Sequence, residues 1–387
     1  MEITPFKVDI AEAQLEDLRN RLDNTRWPER EAVSDWSQGI PLSYTRKLAD
    51  YWRNDYDWRR WETKLNSWDQ FTTGISGLDI HFLHVRSPHE NALPMVVTHG
   101  WPGSIVEFHK IIEPLTNPVD HGGKAEDAFH LVVPTLPGYG FSGKPSSQGT
   151  GVVQIGHMWG ELMARLGYRR YVAQGGDWGS AVTHSIGQSQ TEHCAAIHIN
   201  MPVVAPAEDT MDNLSEQEQA ALESIGHYDR WDSGYSKQQS TRPQTLGYSL
   251  ADSPVGQMAW IVEKFWAWTD CGVEGEQHPE NALSKDELLD NVMMYWLTNS
   301  AASSARLYWE SFNDFNMDPI HIPVGCSIYP REIFRCSRRW AESRFSNIIH
   351  WNHLDKGGHF AALEQPELFV EELRACFRQL PERSMGA

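Results

Sequence analysis

Long apolar runs, paired cysteines and an excess of basic residues are all missing from this chain of 387 residues. There is no stretch of about 18 apolar residues and no apolar signal core at the N-terminus, so we expect neither a membrane anchor nor a secretory leader. The five cysteines are scattered and form no Cys-x-x-Cys pair, which argues against a disulfide framework or a zinc site. These absences predict a soluble, cytoplasmic protein without a bound metal.

Acidic residues exceed basic ones, 52 against 33, and the formal net charge is −19. Phosphate backbones and anionic membranes repel such a chain, so we expect no nucleic acid and no membrane among its partners. The 17 tryptophans are a large number for this length. They indicate either aromatic core packing or an apolar pocket lined by aromatic rings.

Strand and helix patterns alternate from about residue 91, which predicts a parallel α/β sheet with helices on both faces. The alternation covers 91–202, stops over 203–318, where the sequence is helical and irregular, and resumes over 319–387. A helical insertion that splits an α/β core in this way is typical of a lid. The predicted core strands are 94–98, 130–134, 171–173, 196–199, 324–328 and 348–351. The predicted core helices are 105–115, 152–166, 180–189 and 366–380.

The first 90 residues do not alternate in this way, and we interpret them as an N-terminal extension that packs on the core and the lid. Leu15, Leu18 and Leu22 lie on one helical face, and Pro28 requires that helix to end before it. A second helical segment is predicted over 42–61. Residues 71–85, with two internal glycines, suit a β-hairpin.

The most informative segment is Gly175-Gly176-Asp177-Trp178-Gly179, between a predicted strand and a predicted helix. Strand, sharp turn and helix in this order are typical of a nucleophile elbow, where glycines permit a strained backbone and one side chain is exposed. Asp177 takes the position that serine occupies in most elbows. The alternative is an ordinary glycine-rich turn with a surface aspartate.

An aspartate nucleophile suits attack on an alkyl carbon, as in an epoxide or an alkyl halide. Serine would form an ether there, which water cannot reopen, whereas a carboxylate forms an ester that water hydrolyses. The carboxylate is also ionised at neutral pH and needs no base for the first step.

Hydrolysis of such an ester requires a base and an acid that orients it. His359 lies between glycine and phenylalanine after the last predicted strand, so it can reach the elbow from the same sheet edge. Glu332 follows the preceding strand and is the candidate acid, with Asp355 as the competitor. The order Asp177, Glu332, His359 matches the nucleophile–acid–base order of α/β-hydrolases.

Two backbone amides are candidates for an oxyanion hole. His-Gly-Trp101-Pro-Gly directly follows the predicted strand 94–98, and Trp178 directly follows the nucleophile. The amides of Trp101 and Trp178 could bind the oxyanion that forms when water attacks the ester. A plain Gly/Pro turn is the alternative for the first of them.

Together, His-Gly-Trp-Pro, the Gly-Gly-Asp177-Trp-Gly elbow, Tyr-Pro-Arg-Glu332 and Gly-Gly-His359-Phe resemble the microsomal-type epoxide hydrolases. The N-terminal Pro-Phe-Lys-Val and Thr-Arg-Trp-Pro segments are similar to that family's N-terminal extension, so the resemblance covers nearly the whole chain. It implies an α/β-hydrolase fold with a helical lid insertion and an N-terminal extension. Family members with a membrane anchor carry an apolar helix before this extension, so the resemblance does not imply membrane association here.

The resemblance also implies two lid tyrosines that activate the epoxide oxygen. Ser-Gly-Tyr235 and Arg-Leu-Tyr308-Trp-Glu look like the segments that supply them, with Tyr228 as the fallback for Tyr235. Protonated phenols would stabilise the negative charge that develops when the ring opens.

Three functions remain to be weighed. The first is a cofactor-independent epoxide hydrolase acting on a small apolar or aromatic epoxide and water. The second is a haloalkane dehalogenase, which also uses an aspartate with a following tryptophan. The third is a non-catalytic ligand receptor, which the complete Asp177/Glu332/His359 set argues against. A homodimer is left open.

Overall fold

The computed structural model describes residues 2–273, 275–312 and 316–380. Within these residues nine strands form a single mixed sheet in the order β1-β2-β3-β5-β4-β6-β7-β8-β9. The strands are β1 (Ile3–Phe6), β2 (Gln70–Ile75), β3 (Leu78–Val85), β4 (Leu93–Thr98), β5 (Phe129–Pro134), β6 (Tyr171–Gly175), β7 (Cys194–Ile199), β8 (Val324–Ile328) and β9 (Ile348–His353).

The parallel half of the sheet, from β5 through β4 and β6 to β9, is the predicted α/β core. Every residue of β4, β6, β7 and β8 is buried, as expected for strands covered on both faces. Because these strands are parallel, their carboxyl ends lie at one edge of the sheet. The loops that leave this edge carry the candidate site residues.

The N-terminal segment contributes β1, β2 and β3 as an antiparallel extension of the same sheet. The predicted hairpin is present, and its two connecting residues, Ser76 and Gly77, both have positive φ, as a tight hairpin turn requires. The strand β1 was not predicted, because four partly exposed edge residues that include Pro5 give no readable alternation. The division of the chain at residues 90, 202 and 318 stays a prediction.

Fifteen α-helices lie within the described ranges. They are α1 (Glu12–Asp23), α2 (Leu42–Asn54), α3 (Trp58–Leu65), α4 (Ile112–Thr116), α5 (Val152–Arg165), α6 (Asp177–Ser189), α7 (Glu216–His227), α8 (Gly234–Thr241), α9 (Pro243–Asp252), α10 (Pro254–Trp268), α11 (Lys285–Trp296), α12 (Ala301–Ser311), α13 (Arg338–Ala341), α14 (Ala361–Glu364) and α15 (Pro366–Phe377). None of the helices in these ranges combines the length and the apolar character needed to cross a bilayer.

The prediction of one helix over 105–115 was wrong. A 3₁₀ turn, Ile105–Phe108, is followed by the separate short helix α4. Pro114 explains the break, because it has no N–H for the carbonyl of Lys110 and its ring would collide with that carbonyl in a continuous helix.

Six helices, α7 to α12, lie in the segment 203–318, and we call them the lid helices. The N-terminal segment packs directly against them. The hydroxyls of Tyr51 and Tyr56 donate to Asp286 and Asp290 of α11 at 2.9 and 2.7 Å, and Trp36 stacks on the ring of Trp266. These polar and aromatic contacts explain why the N-terminal segment is rich in tryptophan and tyrosine.

Candidate active site

Asp177 lies at the junction of β6 and α6 with φ of +50°, in the left-handed region that non-glycine residues rarely adopt. The turn is so tight that a Cβ on Gly175 would lie 2.0 Å from the carbonyl oxygen of Gly179. A Cβ on Gly179 would lie 1.9 Å from the carbonyl oxygen of Thr98. Glycine at both positions therefore permits the strained backbone, and α6 begins at Asp177 itself, earlier than the predicted helix over 180–189.

The carboxylate of Asp177 is held from two sides. Its Oδ1 accepts the N–H of Trp101 at 2.8 Å, and its Oδ2 lies 3.1 Å from Nε2 of His359. A Cβ on Gly100 would lie 2.1 Å from Oδ1, so the loop after β4 can approach the carboxylate only with glycine there. The side chain keeps 14% of its surface accessible, enough for one oxygen to face a ligand.

His359 and Glu332 come together because their loops continue the pairing of β8 with β9. Arg331 and Gly358 form an isolated parallel bridge beyond the strand ends. As a result, Nδ1 of His359 lies 2.5 Å from Oε1 of Glu332, which also accepts the N–H of Ile333 at 2.7 Å.

Of the two candidate acids, the structure brings Glu332 to the histidine. Glu332 is 1% exposed, whereas Asp355, on the histidine's own loop, is a solvent-exposed residue. A buried carboxylate with its charge directed at the imidazole is the arrangement that orients a base.

The environment of His359 favours its charged form. Burial alone would lower the pKa of His359, but attraction to Glu332 and hydrogen bonds to Asp177 and Glu332 raise it well above 6.5. Part of this effect depends on the negative charge of Asp177. Loss of that charge would therefore lower the pKa of His359.

Three tyrosines of the lid segment face Asp177 across the site: Tyr235 on α8, Tyr308 on α12, and Tyr228 at the start of a π-helical turn. Their rings are within contact distance, and the hydroxyls of Tyr228 and Tyr235 are 3.1 Å apart. Burial raises the pKa of Tyr235 and of Tyr308 well above 10.0, so both phenols stay protonated at neutral pH. Tyr235 and its alternative, Tyr228, therefore both lie at the site.

A cavity of about 180 Å³ separates the aspartate from the phenols. Its wall is apolar apart from these groups. The lining residues are Asp177, Trp178, Ala181, Met201, Val203, Tyr228, Tyr235, Tyr308, Phe312 and Phe334. A carboxylate and protonated phenols that face one another across an apolar cavity suit a neutral ligand with one polar atom.

Comparison with known proteins identifies the family of this chain. A family profile described as epoxide hydrolase N terminus matches residues 3–108, and one described as alpha/beta hydrolase fold matches residues 94–230. A putative epoxide hydrolase of Stigmatella aurantiaca (strain DW4/3-1) is 55% identical over 98% of this chain and 85% of its own length. This chain belongs to the epoxide hydrolase family.

Other epoxide hydrolases support the same assignment. Epoxide hydrolase 1 of Sus scrofa is 35% identical over 96% of this chain and 88% of its own length. The structure of Aspergillus niger epoxide hydrolase superposes with a TM-score of 0.88 at 33% identity, covering 98% of this chain and 97% of that one. The α/β-hydrolase fold and the epoxide hydrolase class predicted from the sequence are therefore confirmed.

Several residues at this candidate site could not be predicted from the sequence. Met201, Val203, Phe312 and Phe334 line the cavity but come from loops and a helix end, where no motif marks an apolar residue as a pocket residue. The tryptophan count gave a partial signal. Trp101 stacks on Tyr235, and Trp178 packs edge-on against Tyr308.

Glu107 was also missed. It lies beside the loop after β4, where a Cβ on Gly103 would be 1.6 Å from its Oε1. Burial, reinforced by the charge of Asp177 and opposed by that of His359, raises the pKa of Glu107 to about 8. The uncharged form of Glu107 therefore predominates at neutral pH.

Proposed function

We propose that this protein converts a small, apolar epoxide to a vicinal diol through an ester on Asp177. One observation carries the proposal: an elbow carboxylate and two protonated phenols, those of Tyr235 and Tyr308, line the same apolar cavity. An epoxide has an electrophilic carbon that the carboxylate can attack and an oxygen that the phenols can protonate. A single C–O bond joins these two atoms.

In the first step a carboxylate oxygen of Asp177 attacks a ring carbon, and the C–O bond of the epoxide breaks. The oxygen that leaves takes a proton from Tyr235 or Tyr308, which stabilise it as its charge develops. The product is an alkyl ester on Asp177 that carries a neighbouring hydroxyl group. The strained backbone at Asp177 keeps the nucleophile in place.

In the second step water attacks the carbonyl carbon of this ester. His359 takes a proton from the water, and the amides of Trp101 and Trp178 are the proposed oxyanion donors. Collapse of the tetrahedral intermediate releases the diol, whose alkoxide oxygen takes the proton from His359. The second proton of the water passes from the regenerated carboxyl group of Asp177 to His359, so that the protonated His359 of the resting enzyme is restored.

The pKa of His359 changes between the two steps, because it depends on the charge of Asp177. Before attack, the carboxylate holds His359 protonated. After the ester forms, that charge is gone and the pKa of His359 falls, so His359 gives up its proton, which restores the phenol left ionised by ring opening, and the imidazole becomes available as a base. Glu332 keeps it oriented throughout.

A haloalkane dehalogenase is the second candidate, because the ring of Trp178 lines the cavity and an indole N–H could hold a halide ion. The paired phenols argue for the epoxide, since a departing halide needs no proton.

The two functions are separated by offering the purified protein styrene oxide and, in parallel, a chloroalkane of similar size. We expect diol from the epoxide and no chloride release from the chloroalkane, measured by chromatography and ion analysis. Chloride release without diol formation would reverse the assignment.

Tyr308→Phe is expected to slow ester formation by about 10²-fold, because one of the two donors to the leaving oxygen is lost. Rapid-quench mass spectrometry of the Asp177 peptide measures this step directly. Tyr248→Phe is the matched control, since Tyr248 is 71% exposed and outside the cavity. Ester formation at the wild-type rate in Tyr308→Phe would remove Tyr308 from this role.

A further inference from the structure

Lys264 of α10 is a buried cation behind the active-site cavity. The residue is 5% exposed, which is rare for lysine because burial removes the hydration of its charge. It does not line the 180 Å³ cavity, and no step proposed above uses it. Its position therefore needs an explanation.

The ammonium group of Lys264 is directed at aromatic rings. Its Nζ lies 4.9 Å from the ring centroid of Tyr235 and 5.5 Å from that of Trp268. The Tyr235 ring also stacks on Trp101 at 4.8 Å with an interplanar angle of 9°. The ring of Tyr235 therefore contacts a cation, and it also stacks on the ring of Trp101, whose amide is a candidate oxyanion donor.

Lys264 forms a close ion pair with its neighbour on α10. Glu263 Oε2 lies 2.7 Å from Nζ, and the Glu263 side chain is 22% exposed. The carbonyl oxygen of Asp232 accepts a weaker hydrogen bond at 3.4 Å. Burial raises the pKa of the Asp232 carboxyl, and Lys264 opposes that rise.

We propose that Lys264 is a positioning residue that assists ring opening by stabilising negative charge on Tyr235. This inference rests on the proposed function. When the Tyr235 phenol passes its proton to the epoxide oxygen, the phenolate that remains has a more electron-rich ring than the phenol. Attraction between that ring and the ammonium group therefore grows as the C–O bond of the epoxide breaks. An interaction that is stronger in the transition state than in the ground state raises the rate.

Negative charge develops on Tyr235 only in the first step. In that step Asp177 forms its bond to carbon, the ring C–O bond breaks and the proton leaves Tyr235, all before water attacks the ester. In the second step the charge develops on the ester carbonyl oxygen, for which the amides of Trp101 and Trp178 are the proposed donors. Loss of Lys264 should therefore slow ester formation and leave ester hydrolysis unchanged.

Lys264→Met, which keeps the length of the side chain, tests this in single turnovers of styrene oxide followed by rapid-quench mass spectrometry. We expect ester formation to slow about 10- to 30-fold, with hydrolysis unchanged, and Lys264→Arg to restore most of the rate. In a Tyr235→Phe background, Lys264→Met should have no further effect, because the ring can no longer become a phenolate. A merely structural lysine would give the same loss in both backgrounds.

Two results would overturn the inference: ester formation at the wild-type rate in Lys264→Met, or equal slowing of both steps. Glu263→Gln provides a second test if Lys264→Met does not fold. Removing the counter-ion should increase the rate of ester formation about two- to threefold, and a decrease would contradict the proposal. Failure of the proposed function is distinguishable, because wild-type protein would then form no diol from any epoxide.

Discussion

Asp177→Asn is expected to reduce epoxide turnover by roughly 10⁴-fold or more, because the chemistry loses its nucleophile. An amide oxygen carries no net charge, and its attack on carbon would not give an ester that the site can hydrolyse. The substitution changes neither the size of the side chain nor the hydrogen bond that Oδ1 accepts from the Trp101 amide. The loss should therefore be chemical, with the fold and the cavity intact.

Diol formation under saturating styrene oxide measures the effect, and mass spectrometry should find no adduct on the variant. Asp355→Asn is the matched control, since it makes the same change on an exposed carboxylate of the His359 loop. We expect that control to keep wild-type activity. More than about one hundredth of wild-type turnover in Asp177→Asn would argue against a covalent ester at this residue.

The elbow could be read from the sequence because its determinants are local. Contacts of about 2 Å within one turn and with the adjacent strand require glycine at positions 175 and 179, and this glycine spacing around Asp177 is visible in the sequence. His359 and Glu332 were also accessible, since parallel strands place the loops that follow them at one edge. The choice of Glu332 over Asp355 depended on which strand each residue follows.

Other features could not be predicted from the sequence, because they depend on tertiary packing. Lys264 belongs to a helix whose sequence gives no sign that a cation is buried, and its contact with Tyr235 joins two separate lid helices. Glu107 takes its raised pKa from burial beside a loop and from charges that lie far away in the chain. The strand β1 forms only because β2 provides an edge to pair with. None of these features has a periodic or motif-like pattern.

His359→Gln is expected to turn the enzyme into a trap that accumulates the Asp177 ester. Glutamine has no basic nitrogen to accept a proton from water, so hydrolysis should slow by about 10³- to 10⁴-fold. Ester formation needs no base and should fall much less. A stable mass increase equal to that of the epoxide is expected on the peptide that contains Asp177.

His157→Gln provides the control, because His157 is an exposed residue of α5 that does not line the cavity. Absence of an adduct in folded His359→Gln protein would contradict the assigned base.

Acidic pH should also make the ester accumulate in the wild-type enzyme. In the ester, Asp177 has lost the carboxylate charge that raises the pKa of His359. The pKa of His359 should therefore be lower in the ester than in the resting enzyme. The rate of ester hydrolysis should rise as the pH increases through this lower pKa. Below that pKa the imidazole is protonated and the ester should persist.

Oxygen labelling decides where the water attacks. In a single turnover in H₂¹⁸O, attack at the ester carbonyl carbon leaves the label in the carboxylate of Asp177, and the diol receives an unlabelled oxygen from the enzyme. Direct attack of water on the epoxide, with Asp177 as a base, would put the label in the diol instead. Because the Trp101 amide already contacts Oδ1, carbonyl attack would develop its charge next to a fixed donor. We therefore expect the label in Asp177.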